Sequence, residues 1–317
     1  MEPRKVFWKK KYMIKNSPQW EVSGYSRSAY RTGFYINGLN ILLDAGPQCF
    51  KKPEHIFITH SHGDHIANLP FTLIGEEDGN HVYNIYCPKK ACEKLKKYIS
   101  SMFEANALCD NIPVDEWFNL FEMEDDNENL NIKTNKKDLE VEIIKCDHRI
   151  PTVSYGFGLK KKKLNPKYAG LSGKEIGALR KSGTDVSIEV VDKIFCYVCD
   201  TTIKVFEDNP FILDYKTVFI ECTFIYDGEE EKAINKSHIH WKQLKPYVLN
   251  HPNINFMLFH FSLKYKDEEI KEFIEAIEQN QDIIHGSYPE ALATMRLIEQ
   301  IYKSDKLWAK KYYNSRL

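Results

Sequence analysis

The chain has few cysteines, and their spacing is not that of a zinc-binding or disulfide-rich protein. Eight cysteines occur among 317 residues, without the repeated CxxC pairs of a structural zinc site. Cys196 and Cys199 form one CxxC, but it lies inside the strand-like run IFCYVC. The spacing argues against a disulfide framework and favours a reducing compartment.

The sequence also lacks a long apolar segment and an excess of charge of one sign. The N-terminal stretch MEPRKVFWKKKYMIKNSP has no apolar run as long as a signal peptide or a membrane span. Lys and Arg total 44 against 45 Asp and Glu, a net charge of −1. We therefore predict an intracellular protein, cytoplasmic or nuclear, with no membrane partner, in which any contact with nucleic acid is local.

Apolar residues and short alternating runs are abundant. A hydrophobic content of 43% is enough for the core of a single domain over residues 1–317. The run Val6-Phe7-Trp8 is typical of a strand, and Asn37-Gly38 predicts a hairpin turn before a strand at Leu39–Leu43. Helical patterns occur later, at 88–105 and from Pro289 onward.

The most informative stretch is Phe57–Pro70, FITHSHGDHIANLP. Residues Glu54–Thr59 read as a buried strand, so the HxHxDH motif falls on the loop at the end of that strand. A histidine-rich surface loop that binds nothing is the alternative. The chain has only 11 histidines, and HxHxDH directly after a strand is rare by chance, so the motif predicts a metal site.

The motif divides into two pairs of ligands. His60 and His62 can reach one ion, while Asp64 and His65, turned over by Gly63, can reach a second ion about 3.5–4 Å away. Imidazole and carboxylate ligands favour Zn²⁺, with Mn²⁺ or Fe²⁺ as alternatives. The sequence therefore predicts two divalent metal ions.

An HxHxDH motif after a strand resembles the metallo-β-lactamase fold superfamily, and THSHGDHIANLP resembles the short, plant-like form of ribonuclease Z. The resemblance implies an α/β fold, a four-layer αββα sandwich with the site at one edge of two packed sheets. It also implies that Asp44, in Asp-Ala-Gly after the preceding strand, orients the loop histidines without itself binding metal. A plain turn residue is the alternative for Asp44.

Three further strand ends carry the ligands that the resemblance implies. In HRIPTVSYGFGL, His148 would complete the set of the first ion. The run FCYVCDTT reads as a strand that ends at Asp200, the carboxylate that would bridge both ions, although Cys199 replaces the glycine usual in the family. In NFMLFHFSLKY, His260 would complete the set of the second ion. The predicted ligands are His60, His62, Asp64, His65, His148, Asp200 and His260.

A proton donor is implied by two altered family segments. VFIECTF and KSHIHW resemble the His-Glu-Ala-Thr and His-Ser-Thr segments of ribonuclease Z. In this alignment His238 is the catalytic acid and Glu221 is the carboxylate that orients it. A shift of register would make His240 the acid instead.

The stretch 160–183, KKKKLNPKYAGLSGKEIGALRKSG, resembles short plant-like members of the family most specifically. Ser172 and Glu175 form a capping box that predicts a short helix. Only 51 residues separate His148 from Asp200, which leaves no room for the long glycine- and proline-rich arm that grips tRNA in other members. We therefore predict a helical insert at about 160–185 in its place.

Lysines are the candidates for RNA contact. Lys160, Lys161, Lys162 and Lys163 can form a phosphate-binding patch, with a solvated surface run as the alternative. Lys264 replaces the family's arginine, keeping the charge but losing the bidentate fork. The lysines of the predicted helix at 88–105 read as a solvated face, with RNA contact as the alternative.

The resemblance implies an endoribonuclease that cleaves the 3′ trailer from precursor tRNA and acts as a homodimer. Two cations would activate the attacking water, Asp64 would bind metal and hold that water, and His238 would protonate the leaving 3′ oxygen. Two alternatives stay open. One is another hydrolase of the same fold, acting on a β-lactam, a thioester or a small phosphodiester. The other is a non-catalytic nucleic-acid-binding paralogue.

Overall fold

The computed structural model describes residues 6–9, 11–14, 17–74, 81–124, 129–134 and 137–279, which form two β-sheets and a set of helices. The first sheet contains, in spatial order, β1 (Tyr12–Ile14), β2 (Ser17–Arg27), β3 (Arg31–Asn37), β4 (Ile41–Leu43), β5 (His55–Phe57), β6 (Tyr83–Pro88) and β7 (Phe118–Met123). The second contains β8 (Leu130–Thr134), β9 (Lys137–Lys145), β10 (Val153–Leu164), β11 (Ser187–Val198), β12 (Thr217–Glu221) and β13 (Asn255–Phe259). Its spatial order is β13-β12-β11-β10-β9-β8.

Each sheet is antiparallel on one side and parallel on the other. In the first sheet β1 to β4 pair antiparallel and β4 to β7 pair parallel. In the second, β8 to β11 pair antiparallel and β11 to β13 pair parallel. The turn at Asn37-Gly38 joins β3 to β4 as the sequence predicts, and Gly38 has a φ of 85°, which favours glycine.

Most helices of the described residues lie in the connections between parallel strands. They are α1 (Val6–Lys9), α2 (Gly63–Ile66), α3 (Leu69–Leu73), α4 (Lys89–Ala107), α5 (Gly173–Lys181), α6 (Val205–Asp208), α7 (Glu230–Lys236), α8 (Trp241–Asn250) and α9 (Asp267–Gln279). Short 3₁₀ turns occur at Val114–Glu116, Pro166–Tyr168 and Pro210–Asp214. Across the described ranges, every helix is too short or too polar to cross a membrane.

Helices α4 and α5 follow the patterns predicted for them. In α4, Leu95, Ile99 and Phe103 recur every four residues and are buried, and the helix packs on β6 and β7. The capping box of Ser172 and Glu175 starts α5, where the Ser172 hydroxyl accepts from the Glu175 backbone N–H. No side chain of α5 is buried, and the helix lies between the far ends of β10 and β11.

Aromatic side chains join the two sheets face to face. The ring of Phe34 on β3 lies 6.1 Å from Tyr197, 6.1 Å from Phe219 and 5.4 Å from Phe259, all on the second sheet. The ring of Phe57 on β5 lies 4.9 Å from that of Tyr155 on β10. These contacts fix the sheets at one spacing, so the strand ends of both sheets meet at a defined edge.

Three predicted elements differ or fall elsewhere. The run Val6-Phe7-Trp8 belongs to one helical turn, because three alternating residues are too few to distinguish a strand from a helix. The strand predicted at Glu54–Thr59 is shorter, at His55–Phe57. The helix predicted from Pro289 onward lies outside the described residues.

Candidate metal centre

The polar side chains of the site collect at one edge of the sandwich. Strands β4 and β5 run parallel and end just before Asp44 and His60. Strand β9 runs antiparallel to β10, which is antiparallel to β11, so β9, β11, β12 and β13 all end at one edge. His148, Asp200 and His260 follow three of these ends. Topology therefore brings distant residues together.

Asp64 and His65 lie on a short helix, where the sequence predicted a loop. Helix α2 begins at Gly63, immediately after the histidines of the motif, and is only four residues long. It is too short to give a periodic pattern, so the sequence did not reveal it. The helical turn places Asp64 and His65 side by side, with His65 Nε2 lying 3.5 Å from Asp64 Oδ2.

The first cluster combines three histidines with a carboxylate. Nε2 of His60 lies 3.0 Å from Nδ1 of His62 and 3.5 Å from Oδ2 of Asp200. Nε2 of His148 lies 3.4 Å from the same His62 nitrogen and 3.8 Å from the same Asp200 oxygen. One donor atom from each residue fits within a span of 4.8 Å. Three imidazoles and one carboxylate suit a four-coordinate divalent ion.

The second cluster contains Asp64, His65 and His260. Nε2 of His260 lies 3.6 Å from Asp64 Oδ2, and the ligand atoms of all three residues lie within 4.8 Å of one another. Asp64 Oδ2 also accepts the backbone N–H of Ala29 at 2.8 Å, which fixes the carboxylate. The two pairs of the motif therefore fall in two different clusters.

Asp200 lies between the two clusters. Its Oδ2 faces the first cluster, whereas its Oδ1 lies 3.2 Å from His260 Nε2 and 3.6 Å from His65 Nε2. Burial works to raise the pKa of this carboxyl, but the surrounding imidazoles, His260 and His65 first, outweigh burial and hold it well below its usual range. Asp200 is therefore a carboxylate with one oxygen toward each cluster.

Two ring nitrogens identify the centre as a place for cations. Nε2 of His65 and Nε2 of His260 are buried and, among the described residues, have no hydrogen-bond partner. Buried polar atoms without partners are rare because each costs the free energy of its lost hydration. Both nitrogens face Asp200 and Asp64 at 3.2 to 3.6 Å without forming a hydrogen bond to either carboxylate. Divalent ions would satisfy both, so the donor set fits them.

Asp44 orients two of the candidate ligand histidines through their Nδ1 atoms. Its Oδ2 accepts Nδ1–H of His65 at 2.9 Å. It also accepts the hydroxyl of Thr59 at 2.9 Å, and that hydroxyl lies 3.0 Å from His60 Nδ1, which donates to it. The carboxylate thus turns Nε2 of both rings toward the centre, one directly and one through Thr59.

Glu221 orients two further histidines on the opposite side of the centre. Its Oε2 accepts the Thr223 hydroxyl at 2.6 Å, and this hydroxyl accepts Nδ1–H of His260 at 3.0 Å. Its Oε1 lies 2.8 Å from Nδ1 of His238. Glu221 is fully buried. One carboxylate therefore holds a predicted metal ligand and the predicted acid at the same time.

His238 and His240 have different surroundings. Because Glu221 occupies Nδ1 of His238, Nε2 is the nitrogen left to give a proton. Burial works to lower the pKa of His238, but its ion pair and hydrogen bond with Glu221 outweigh burial and raise the pKa to about 9. His240 caps α8: its Nδ1 accepts from Lys242 N–H, and its Nε2 donates to the Tyr226 carbonyl.

Known proteins resemble the chain over most of its length. It is 30% identical over 275 residues to tRNase Z TRZ1 of Arabidopsis thaliana, covering 85% of this chain and 94% of the relative. The chain belongs to the ribonuclease Z family. The chloroplastic tRNase Z TRZ2 of the same plant is 27% identical over 270 residues, which cover 80% of this chain and 71% of that protein. No protein-family model matches the chain.

A solved structure supports the fold of this chain. The metallo-beta-lactamase fold protein YhfI of Bacillus subtilis superposes with a TM-score of 0.50 at 12% identity, over 81% of this chain and 92% of that one. The likeness concerns the fold alone. The family and the metallo-β-lactamase-type α/β sandwich predicted from the sequence are confirmed, as is a hydrolase that binds divalent metal.

Two residues at the centre adopt backbone conformations that favour glycine. Asp44 has a φ of 54° and His260 a φ of 65°, each directly after its strand. Such left-handed residues are strained, and strain of this kind persists where the surrounding structure holds it at a functional site. Close packing adds a second constraint, since a Cβ on Gly46 would lie 1.9 Å from the backbone oxygen of Asp64.

Thr59, Thr223 and Tyr197 were missed by sequence reasoning. Tyr197 donates its hydroxyl to Asp44 Oδ2 at 2.9 Å and is fully buried on β11. Cys199, at the position where the family usually has glycine, is fully buried. Its Sγ lies 3.8 Å from Nδ1 of His65, on the same side of the ring as Asp44. The available signal was a hydroxyl residue beside a ligand, as in Thr59-His60, but such pairs are common.

The predicted RNA-binding lysines lie outside this centre. Lys160–Lys163 occupy consecutive positions of β10, so their side chains alternate between the two faces of the strand. Lys160 pairs with Glu189 at 3.0 Å, and Lys161 pairs with Asp192 at 2.6 Å. Lys264 pairs with Glu229. These pairs reduce the positive charge offered to a phosphate, and a role in RNA binding stays a prediction for all five lysines.

Proposed function

We propose that this member of the ribonuclease Z family is an endoribonuclease that removes the 3′ trailer from precursor tRNA. Its curated relatives are named tRNase Z and ribonuclease Z. One observation carries the proposal: Asp200 lies between two clusters of ligands, with the Glu221–His238 pair beside them. A phosphodiester needs cations to balance its charge and a donor for its leaving oxygen, and this arrangement offers both.

Two divalent ions, Zn²⁺ first among Zn²⁺, Mn²⁺ and Fe²⁺, are proposed as cofactors. His60, His62 and His148 would hold one, Asp64, His65 and His260 the other, and Asp200 both. When bound, such ions lower the pKa of water toward neutrality and balance charge on a phosphate. The two clusters contain imidazoles and carboxylates and no thiolate, which supports this choice.

The chain's own residues perform the remaining steps. Asp64 has one oxygen fixed by Ala29 N–H, which leaves the other to hold the attacking water in line with the phosphorus. As the bond from that water oxygen to phosphorus forms, the bond from phosphorus to the 3′ oxygen breaks. His238 gives its proton to the departing oxygen, and Glu221 stabilises the ring throughout. The products would be tRNA with a 3′ hydroxyl and a trailer with a 5′ phosphate.

Cleavage of a labelled precursor tRNA tests the function. Purified, metal-loaded protein should cut once, at the junction of tRNA and trailer, leaving a 3′ hydroxyl on the tRNA. Uncut RNA beside rapid hydrolysis of a β-lactam or a thioester would identify a different hydrolase of this fold. Binding of RNA without any hydrolysis would identify a non-catalytic paralogue. A homodimer and a cytoplasmic or nuclear location stay predictions.

Removing the Thr59 hydroxyl should weaken metal binding. Thr59→Val keeps the shape of the side chain but leaves Nδ1–H of His60 without its acceptor, so the ring is no longer held. Loss of such an outer contact costs about 10–100-fold in metal affinity. Titration against a competing chelator measures the loss, and Thr59→Ser, which keeps the hydroxyl, is the matched control. Equal affinity of Thr59→Val and wild type would contradict the relay.

A further inference from the structure

A groove opens beside the metal centre, on the side of His148. Its volume is about 390 Å³, and it runs between the start of α4 and the loop that follows β9. His148 forms part of its wall, so the groove continues directly from the first cluster. We call it the basic groove, after the cations on its walls: Lys89, Lys90, Lys145 and Arg149.

Positive charge dominates the basic groove. Against its four cations, the lining contains a single carboxylate, that of Glu124, which pairs with Lys89 at 3.1 Å. Lys90 and Arg149 are exposed, and neither has an ion pair within the part of the chain that the structure describes. They differ in this from Lys160 and Lys161, whose charges are paired. Two cations are therefore available to an anion beside the centre.

Arg149 connects the groove to the reacting groups. It follows His148 directly in the chain and lines the groove with it. A phosphate held by Arg149 would thus lie close to the reacting phosphate without replacing it.

The walls of the groove also suit a nucleotide. Pro88, Ile150 and Pro151 line it together with the cations. Apolar surface of this kind can contact a ribose or a base without reading its sequence, while the forked donors of arginine match phosphate oxygens. An RNA strand whose scissile phosphate sits at the centre must continue on both sides, and each neighbouring linkage carries another charge.

We propose that the basic groove binds the backbone phosphate next to the scissile one in a single strand of RNA, through Arg149 and Lys90. The proposal rests on the proposed function for the position of the scissile bond. It assigns positioning of the substrate to the 145–153 loop and the start of α4. The bound phosphate belongs either to the trailer or to the 3′ end of the tRNA, which have the same chemistry.

The two cleavage products separate these sources. Labelled tRNA ending in its 3′ hydroxyl, and a labelled trailer oligonucleotide with a 5′ phosphate, are each titrated against full-length, metal-loaded protein at several salt concentrations. We expect Arg149→Ala and Lys90→Ala each to weaken binding of one product by about tenfold, the usual cost of a charged hydrogen bond. The slope of log K against log salt should fall by about 0.7 per lost contact with a single strand.

Neutral linkages locate the contact. A methylphosphonate placed at the bound linkage should weaken wild-type binding as much as Arg149→Ala does, and should cost that variant nothing more. Lys97→Ala is the matched control, because Lys97 is an exposed lysine on the same helix outside the groove. Metal content and thermal unfolding of each variant verify that the site and the fold are intact.

Three results would overturn the groove assignment. The first is that Arg149→Ala and Lys90→Ala bind both products with the affinity and salt slope of the wild type. The second is equal loss in Lys97→Ala, which would make the effect a general one of surface charge. The third is loss of affinity for polyglutamate alone, which would assign the groove to an acidic protein. If precursor tRNA is not cut but a product binds through Arg149, the proposed function fails and the groove stands.

Discussion

We expect Asp200→Ala to purify with little or no bound metal and to lose activity by roughly a thousandfold or more. The carboxylate has one oxygen toward each cluster, so its removal takes a ligand from both ions at once. It also leaves the imidazoles of the two clusters facing one another without a negative charge between them. Ions at such sites supply several kcal/mol of transition-state stabilisation, and about 1.4 kcal/mol is a factor of ten in rate.

Two other variants separate the shared role of Asp200 from a local one. His148→Ala removes a ligand of one cluster only, so we expect it to retain about one ion per chain. Asp200→Asn keeps the size and one oxygen of the side chain but not the charge, and should bind metal between the alanine variant and wild type. Elemental analysis after purification without chelator measures all three. Equal metal content in Asp200→Ala and wild type would contradict the shared ligand.

The candidate ligands were predictable because most of them are polar residues that follow the end of an apolar strand. Asp200 and His260 follow buried runs, and the direction of parallel strands brings such ends to one edge. The resemblance to ribonuclease Z assigned them to clusters. What the sequence could not give is distance, so only the structure reveals that Asp200 has one oxygen toward each cluster.

The outer contacts were not predictable for a physical reason. Tyr197 is 153 positions from Asp44 along the chain, and a tyrosine inside an apolar strand reads as core. Its hydroxyl reaches Asp44 only because the two sheets pack face to face. The basic groove was missed for the same reason. Lys90 lies in a connection of the first sheet and Arg149 in a connection of the second, and neither residue forms a motif alone.

Glu221 connects the two halves of the proposed mechanism. It holds His260 through Thr223 and His238 directly, so Glu221→Gln should disturb both. A fall in metal content would report the first contact, and a loss confined to difficult leaving groups would report the second. Substitution of His238 itself separates the two effects, because His238 belongs to neither set of predicted metal ligands.

His238→Ala should therefore reduce cleavage of RNA by about 10²–10⁴-fold while metal content stays at the wild-type value. A ribose 3′ oxygen leaves as a strong base and needs a proton in the transition state, whereas nitrophenolate leaves without one. Hydrolysis of bis-nitrophenyl phosphate should accordingly be spared. The buried ion pair with Glu221, which raises the pKa of His238 to about 9, favours the protonated ring that an acid requires.

His240→Ala is the control for the register of the two histidines. His240 caps α8 through Nδ1, so its loss should cost about 0.5–2 kcal/mol of stability, measured by denaturant unfolding. It should slow RNA and the nitrophenyl ester by the same factor, because Nε2 is occupied by the Tyr226 carbonyl. A selective loss on RNA in His240→Ala, with His238→Ala unaffected, would transfer the acid role to His240. If each variant slows cleavage of RNA and of the nitrophenyl ester by the same factor, neither histidine is the acid.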